Sequence, residues 1–241
     1  WAFSISSKST TENGLRRTYI NKDGLESFMF AHDNLQARNL TLFAEDLIRL
    51  TSKLNVVADV HLVYNERNSS DRFPQPDLRP WYSHMSKKYR YFRSQSTTLN
   101  QHWTAFNPRI GLIYSPFKGE DVQLFGNLSR SYEPPTFDEL VGTEVTTNIN
   151  TSPKRLYAIA LDKQTATTLE LGSKGRMTRF SWNVAAYRSW VHNEILEVKD
   201  YVRGIKRTEN YPTTLHQGVE VGLNAVVADN PWGTNAGKLT L

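Results

Sequence analysis

The chain has no cysteine. That removes disulfide frameworks and cysteine-ligated metals together, and the compartment has to be argued on other grounds. It also lacks any run near the roughly 18 apolar residues that a membrane-spanning helix needs. HExxH, GxSxG, P-loop and GxGxxG patterns are all missing, and the six histidines (32, 61, 84, 102, 192 and 216) stand at no metal-ligand spacing. An enzyme reading and a resident cofactor therefore have no support. The opening residues, WAFSISSKSTTENG, show no basic stretch leading into an apolar one, so no signal peptide is legible in them. Charge of one sign is scarce too. The 29 Lys and Arg against 24 Asp and Glu leave +5, spread along the chain.

What is present is aromatic: 6 Trp, 11 Tyr and 11 Phe, 12% of the residues. Such enrichment suits strands and membrane-interface girdles, and equally a carbohydrate-binding sandwich. The mean hydropathy is −0.54, which does not exclude a membrane protein. Strands of a membrane barrel meet lipid only at every second residue, so their average stays low.

Alternation with a period of two is the recurrent pattern. Leu54, Val56, Ala58, Val60, Leu62 and Tyr64 share one face, and Asn55, Asp59, His61 and Asn65 the other, with Val57 and Val63 as interruptions. An alternating span of this length fits the roughly 9–11 residues of a tilted membrane strand. The pattern returns at Phe106, Pro108, Ile110, Leu112 and Tyr114, opposite Asn107, Arg109, Gly111 and Ser115. It returns again at Phe180, Trp182, Val184 and Ala186, opposite Arg179, Ser181, Asn183 and Tyr187. A fourth instance sets Leu215, Val219, Val221, Leu223 and Ala225 against His216, Gly218, Glu220 and Asn224. Strands near 39–49, 122–132 and 166–174 alternate less cleanly. Helices are confined to one or two short ones in the long loops.

Connections alternate in length as well. Short ones, at 50–53, 116–121 and 175–178, are rich in turn residues. Long ones are expected at 10–36, 66–98 and 133–165. Short turns on one side and long loops on the other are the habit of outer-membrane barrels, whose long loops face outside. Magnitude decides which face meets lipid. A charge on the lipid face near the midplane costs up to about 2–4 kcal/mol, and over several strands that would exceed the roughly 5–15 kcal/mol of an ordinary domain. The apolar set must face outward.

The expected fold is all-β: an antiparallel transmembrane β-barrel, partial, with about eight strands of a larger one. The chain opens on what reads as mid-strand and closes just after another strand starts. The whole chain is therefore expected to be one segment of a barrel domain.

Particular phrases carry a resemblance. RNLTLFAEDLIRL at 38–50, NPRIGLIYSPFKGEDVQLFGNLSRSYEPP at 107–135, FDEL at 137–140, TLELG at 168–172, the segment 187–195 and QGVE at 217–220 occur in this order. Together they resemble the barrel of TonB-dependent outer-membrane receptors, over roughly residues 38–227. The resemblance implies a barrel of about 22 strands plugged by an N-terminal domain, with plug, coupling box and last strands outside this chain. It implies a bacterial outer-membrane location and uptake of an iron-siderophore or similar scarce ligand. A periplasmic energy-coupling protein would act through the N-terminal region.

Residues 80–93, PWYSHMSKKYRYFR, interleave aromatic and basic side chains. Trp81, Tyr82, Tyr89, Arg90, Tyr91 and Arg93 are the candidate ligand-binding residues, by charge-assisted hydrogen bonds and stacking on an anionic chelate. The blander reading is an aromatic girdle and basic rim against lipopolysaccharide phosphates; single-stranded nucleic acid is a third. Pro134 and Pro135 are expected to stiffen a strand exit. Glu170, Glu220 and Arg109 are expected inside, paired with a plug or with neighbouring strands. Two other functions stay open: a passive porin-like barrel, and a soluble β-sandwich that binds glycans.

Overall fold

The computed structural model describes residues 2–20, 26–73, 75, 77–83, 88–117, 121–145, 154–200, 205–229 and 238–240. Every regular element among them is a strand. In chain order these are β1 (Ala2–Ile20), β2 (Glu26–Arg49), β3 (Leu54–Asp71), β4 (Leu78–Ser83), β5 (Lys88–Arg93), β6 (Leu99–Tyr114), β7 (Val122–Glu133), β8 (Val141–Val145), β9 (Lys154–Ala158), β10 (Gln164–Arg176), β11 (Phe180–Asp200), β12 (Ile205–Asp229) and β13 (Lys238–Thr240). The short loop helices allowed by the sequence are not found among the described residues.

Eight long strands lie side by side in the order β1-β2-β3-β6-β7-β10-β11-β12, each antiparallel to the next. β13 and the β8–β9 hairpin both pair with β12, and β4–β5 form a separate two-stranded ribbon. The result is an open antiparallel wall, a partial barrel.

Register fixes the faces. Leu62 stands opposite Leu42 and Phe106, Val56 opposite Ile48 and Leu112, and Leu171 opposite Ala186. These rows continue the apolar stripes of the sequence from strand to strand. Their side chains are the exposed ones: Phe106 is 57% exposed, Ile110 53% and Val219 69%. On the opposite face Asn65 is buried, and Gln101, Asn107 and Asn127 are half-buried. A water-soluble sheet buries its apolar side. This one does the reverse, as lipid requires.

Tight turns gather at one end. In the β2–β3 turn the Leu50 and Thr51 amides donate to the Leu54 carbonyl (3.0 and 3.1 Å), and the Leu54 amide donates to Thr51 Oγ1 (3.0 Å). In the β10–β11 turn the Met177 amide donates to the Phe180 carbonyl at 2.6 Å. Phe180 stacks on Trp182 beside this turn with centroids 5.8 Å apart, and Trp182 Nε1–H donates to Ser173 Oγ at 3.1 Å. An aromatic with one polar handle at a strand end suits a membrane interface. Gly175 lets the Trp182 ring lie flat on the sheet, since any Cβ there would collide with it.

Two expectations at the other end need correction. Residues 10–36 are not a long loop: β1 pairs with β2 out to Ile20 opposite Glu26. The connection expected at 66–98 is shorter, 72–98, because β3 runs on to Asp71; the one expected at 133–165 stands at 134–163, and each carries a hairpin of its own, β4–β5 and β8–β9. β11 and β12 are also longer than a crossing strand, at 21 and 25 residues. Both run on past the apolar stripes, so no alternation announces their outer parts.

Candidate ligand-binding face and outer loops

The six candidate residues fall on the β4–β5 ribbon. Its register sets Trp81 opposite Arg90, Tyr82 opposite Tyr89, Pro80 opposite Tyr91 and Leu78 opposite Arg93. The ribbon thus brings all six together as a backbone unit. Tyr91 is 65% exposed and Arg93 is exposed as well. The side chains of the other four lie outside the described residues.

The base of this ribbon is tied down. The Ser94 amide donates to the Asp77 carbonyl at 2.9 Å, and the Arg72 amide donates to the His32 carbonyl at 2.8 Å. Asp71 accepts from the Phe73 and Thr97 amides, both at 3.1 Å. Thr97, fully buried, donates its hydroxyl to Asp33 Oδ1 at 2.5 Å. Buried hydroxyl and carboxylate satisfy each other, which is the condition for burying either.

The second loop arches inward. Pro135 is fully buried and Pro134 half-buried, where β7 ends. Glu139 Oε2 accepts from the Thr136 amide (2.6 Å) and hydroxyl (2.9 Å), closing a turn. Leu140 and Leu161 then pack on Leu99 and Trp103 of β6, with Tyr132 and Ile195 at the margin. Trp103 Nε1–H donates to the Leu161 carbonyl at 3.1 Å. Further on, Asn210 holds the loop to β12: it accepts from the Asp162 amide (2.8 Å) and donates to the Asp162 and Asn193 carbonyls (both 2.9 Å). β8 pairs with the outer part of β12, with Glu144 opposite Ile205.

The two loops meet. The Leu156 amide donates to Ser94 Oγ at 3.0 Å, and the Gln95 amide donates to the Leu156 carbonyl at 2.9 Å. A backbone connection therefore runs from β12 through β8–β9 to the segment that carries the aromatic ribbon. Little in residue type announced this seam, because the Ser94 hydroxyl is the one side-chain group in its bonds. Trp103 did leave a signal: it is an aromatic on the polar side of its strand.

Below the loops the inward face is polar. Arg109 Nε lies 2.9 Å from Asp59 Oδ2, so Arg109 is inside and paired with its neighbouring strand. Glu170 and Glu220 share this face, opposite Tyr187 and Ala185. The side-chain oxygens of Asn65, Gln101, Asn107 and Asn127 are buried with no donor among the described residues. Above the apolar band, the Tyr132 hydroxyl is likewise unpartnered, and burial pushes its pKa up to about 12 against the pull of Arg67. No group of three His, Asp or Glu among the described residues could hold a metal. The surface offers hydrogen-bond acceptors, aromatic faces and cations, which is the equipment of a binding site.

Solved structures share this architecture. The chain aligns with the ferric-catecholate import receptor Fiu from E. coli K12 at 15% identity and a TM-score of 0.57, covering 93% of this chain and 32% of that one. It aligns with the ferric yersiniabactin uptake receptor FyuA from Yersinia pestis at 11% identity and a TM-score of 0.60, covering 94% and 29%. For the copper transporter OprC the values are 12% and 0.60, covering 82% and 28%. The chain thus spans about a third of the length of these proteins, and identities this low speak for the fold. No curated protein matches it. The family model for the TonB dependent receptor-like β-barrel matches residues 7–241. With its apolar face outward, its turns at one end and its paired loops at the other, the chain belongs to the TonB-dependent receptor β-barrel family.

Proposed function

We propose that this chain supplies central strands and outer loops of a transporter in the bacterial outer membrane that captures a ferric siderophore. The observation that carries the reading is the pairing of an apolar exterior with an inward surface of unsatisfied amide acceptors, beneath loops that are joined to each other. Buried acceptors need donors. An N-terminal plug domain in the rest of the protein would supply them, and a periplasmic energy-coupling protein would act on that plug. Fiu, a ferric-catecholate import receptor, and FyuA, a ferric yersiniabactin uptake receptor, stand among the structural neighbours. The ribbon residues Trp81, Tyr82, Tyr89, Arg90, Tyr91 and Arg93 would stack on and neutralise an anionic iron chelate.

The test is uptake of iron-55 ferric catecholate by cells making the full-length protein, with and without residues 78–93. Loss of binding at the cell surface, with the barrel still inserted, is the expected result. Flux of small solutes that is indifferent to the chelate and to inner-membrane energy would instead make it a porin.

A further inference from the structure

We propose that Asn13 of β1 is a site of spontaneous covalent modification, where the side chain converts to aspartate and isoaspartate as the protein ages. The step is the same whatever the receptor carries.

Asn13 is followed by Gly14, and no other Asn-Gly step occurs in the sequence. The β1–β2 ladder is broken at this step. Glu12 stands opposite Leu35 and Leu15 opposite Asp33, so Asn13 and Gly14 together face Asn34 alone. Two residues against one make a β-bulge, which leaves part of the bulged strand unpaired. Glycine suits the bend, having no Cβ to crowd it. From Ala2 to Glu12 the register is unbroken, and it slips again after Arg17 and after Tyr19. Asn13 itself is exposed.

A carboxamide followed by glycine is open to attack by the next backbone nitrogen, since no side chain stands in the way. The Gly14 nitrogen gives up its proton and bonds to Asn13 Cγ. The Cγ–Nδ2 bond breaks, and the carboxamide nitrogen leaves as ammonia with a proton in place of the one lost. Water then opens the five-membered imide at either carbonyl. One opening gives aspartate, and the other gives isoaspartate, whose main chain runs through the β-carbon. Water is consumed and nothing is oxidised.

A regular ladder opposes this attack, because a nitrogen that donates across strands is held away from its neighbour's side chain. Asn68–Ser69 is the protected case. Asn68 pairs with Gln36 on one side and Asn100 on the other, and Ser69 with Leu35 and Leu99. The bulge removes that protection at Asn13.

Either product brings a charge that asparagine lacks. It arrives between the rung Glu12–Leu35 and the rung Leu15–Asp33, and Asp33 stands opposite Asp71 on β3. Like charges on adjacent strands repel, and isoaspartate adds a backbone atom that the register cannot absorb. The outer β1–β2 hairpin therefore loosens with age.

The test ages the full-length receptor in mild detergent, warm and mildly alkaline, and maps its peptides by mass spectrometry. Electron-transfer fragmentation tells isoaspartate from aspartate. Asn13 should convert about ten-fold faster than Asn68 or more, at a rate close to that of the unfolded peptide 9–20. Gly14→Ala should slow the change about ten-fold. An Asn-Gly step set into the regular ladder by Ser9→Asn/Thr10→Gly should lag behind Asn13 by the same factor. Aged wild type should exchange amide hydrogens faster over 26–36 than fresh protein, and aged Gly14→Ala should not. An Asn13 that stays intact while the peptide converts would overturn the site. Equal rates at residues 9 and 13 would overturn the part given to the bulge.

Discussion

Arg109 and Asp59 face each other across the β3–β6 ladder, 2.9 Å apart, with the carboxylate side chain only 8% exposed and the guanidinium 47%. The pair sits on the inward face, directly behind a lipid-facing stripe. It therefore reports how wet the interior is. Asp59→Ala should destabilise the barrel by about 1–2 kcal/mol, between the values for exposed and buried pairs. A double-mutant cycle with Arg109→Ala, read by thermal unfolding of the detergent-solubilised receptor, should recover most of that as coupling. Simple additivity would mean the two groups ignore each other.

Glycines set up a second contrast. A Cβ on Gly172 would meet the Phe125 ring and lie 2.6 Å from the Val184 carbonyl oxygen, whereas on Gly222 its nearest neighbour would be 3.7 Å away. Gly172→Ala is expected to cost about 1–3 kcal/mol, as overpacking does. Gly222→Ala should be tolerated within experimental scatter. Equal effects on refolding yield would refute the close approach of Phe125.

Trp103 carries the anchor of the inward loop. Trp103→Phe keeps most of the packing and removes the hydrogen bond to the Leu161 carbonyl, a loss of about 1 kcal/mol. Trp103→Ala should cost about 3–5 kcal/mol. Limited proteolysis should then cut within residues 134–163 faster while the strands survive. Unchanged cleavage would show that the loop is held elsewhere.

Beyond the membrane, Glu197 lies between Lys199 (2.7 Å) and Lys206 (2.6 Å). Their hydrogen bonds, Lys199 first, hold its pKa below the ordinary 4.5. For a depressed carboxylate the stabilisation is present above 4.5 and is lost as pH falls through the lower, folded value. Wild type and Glu197→Gln should differ in hydrogen exchange of the outer β11–β12 hairpin at neutral pH. That difference should vanish once the pH has fallen below the lowered, folded value. A gap that persists in acid would assign it to packing.

Legibility followed the solvent. Where lipid lay against one face, each strand had to alternate, so residues 54–64, 106–114 and 180–186 announced both strand and orientation. Asp59 and Arg109 could be placed inside from sequence for the same reason. Outside the bilayer that constraint lapses. Residues 10–20, 26–36, 193–200 and 205–213 pair as strands, and their mixed polarity reads as loop. The Ser94–Leu156 contact was invisible because a lone serine hydroxyl meeting backbone groups leaves no pattern; Trp103 was visible only as an exception to its strand's pattern. The aromatic ribbon was found by composition, and its register gives Trp81 and Arg90 a shared position that composition could not.

The Ser94–Leu156 seam has a mechanical corollary. Two covers stitched together cannot lift one at a time, and the second is also fastened to β12 through β8 and Asn210. A displacement of the ribbon's base would be passed along the seam to a strand at the far side of the wall.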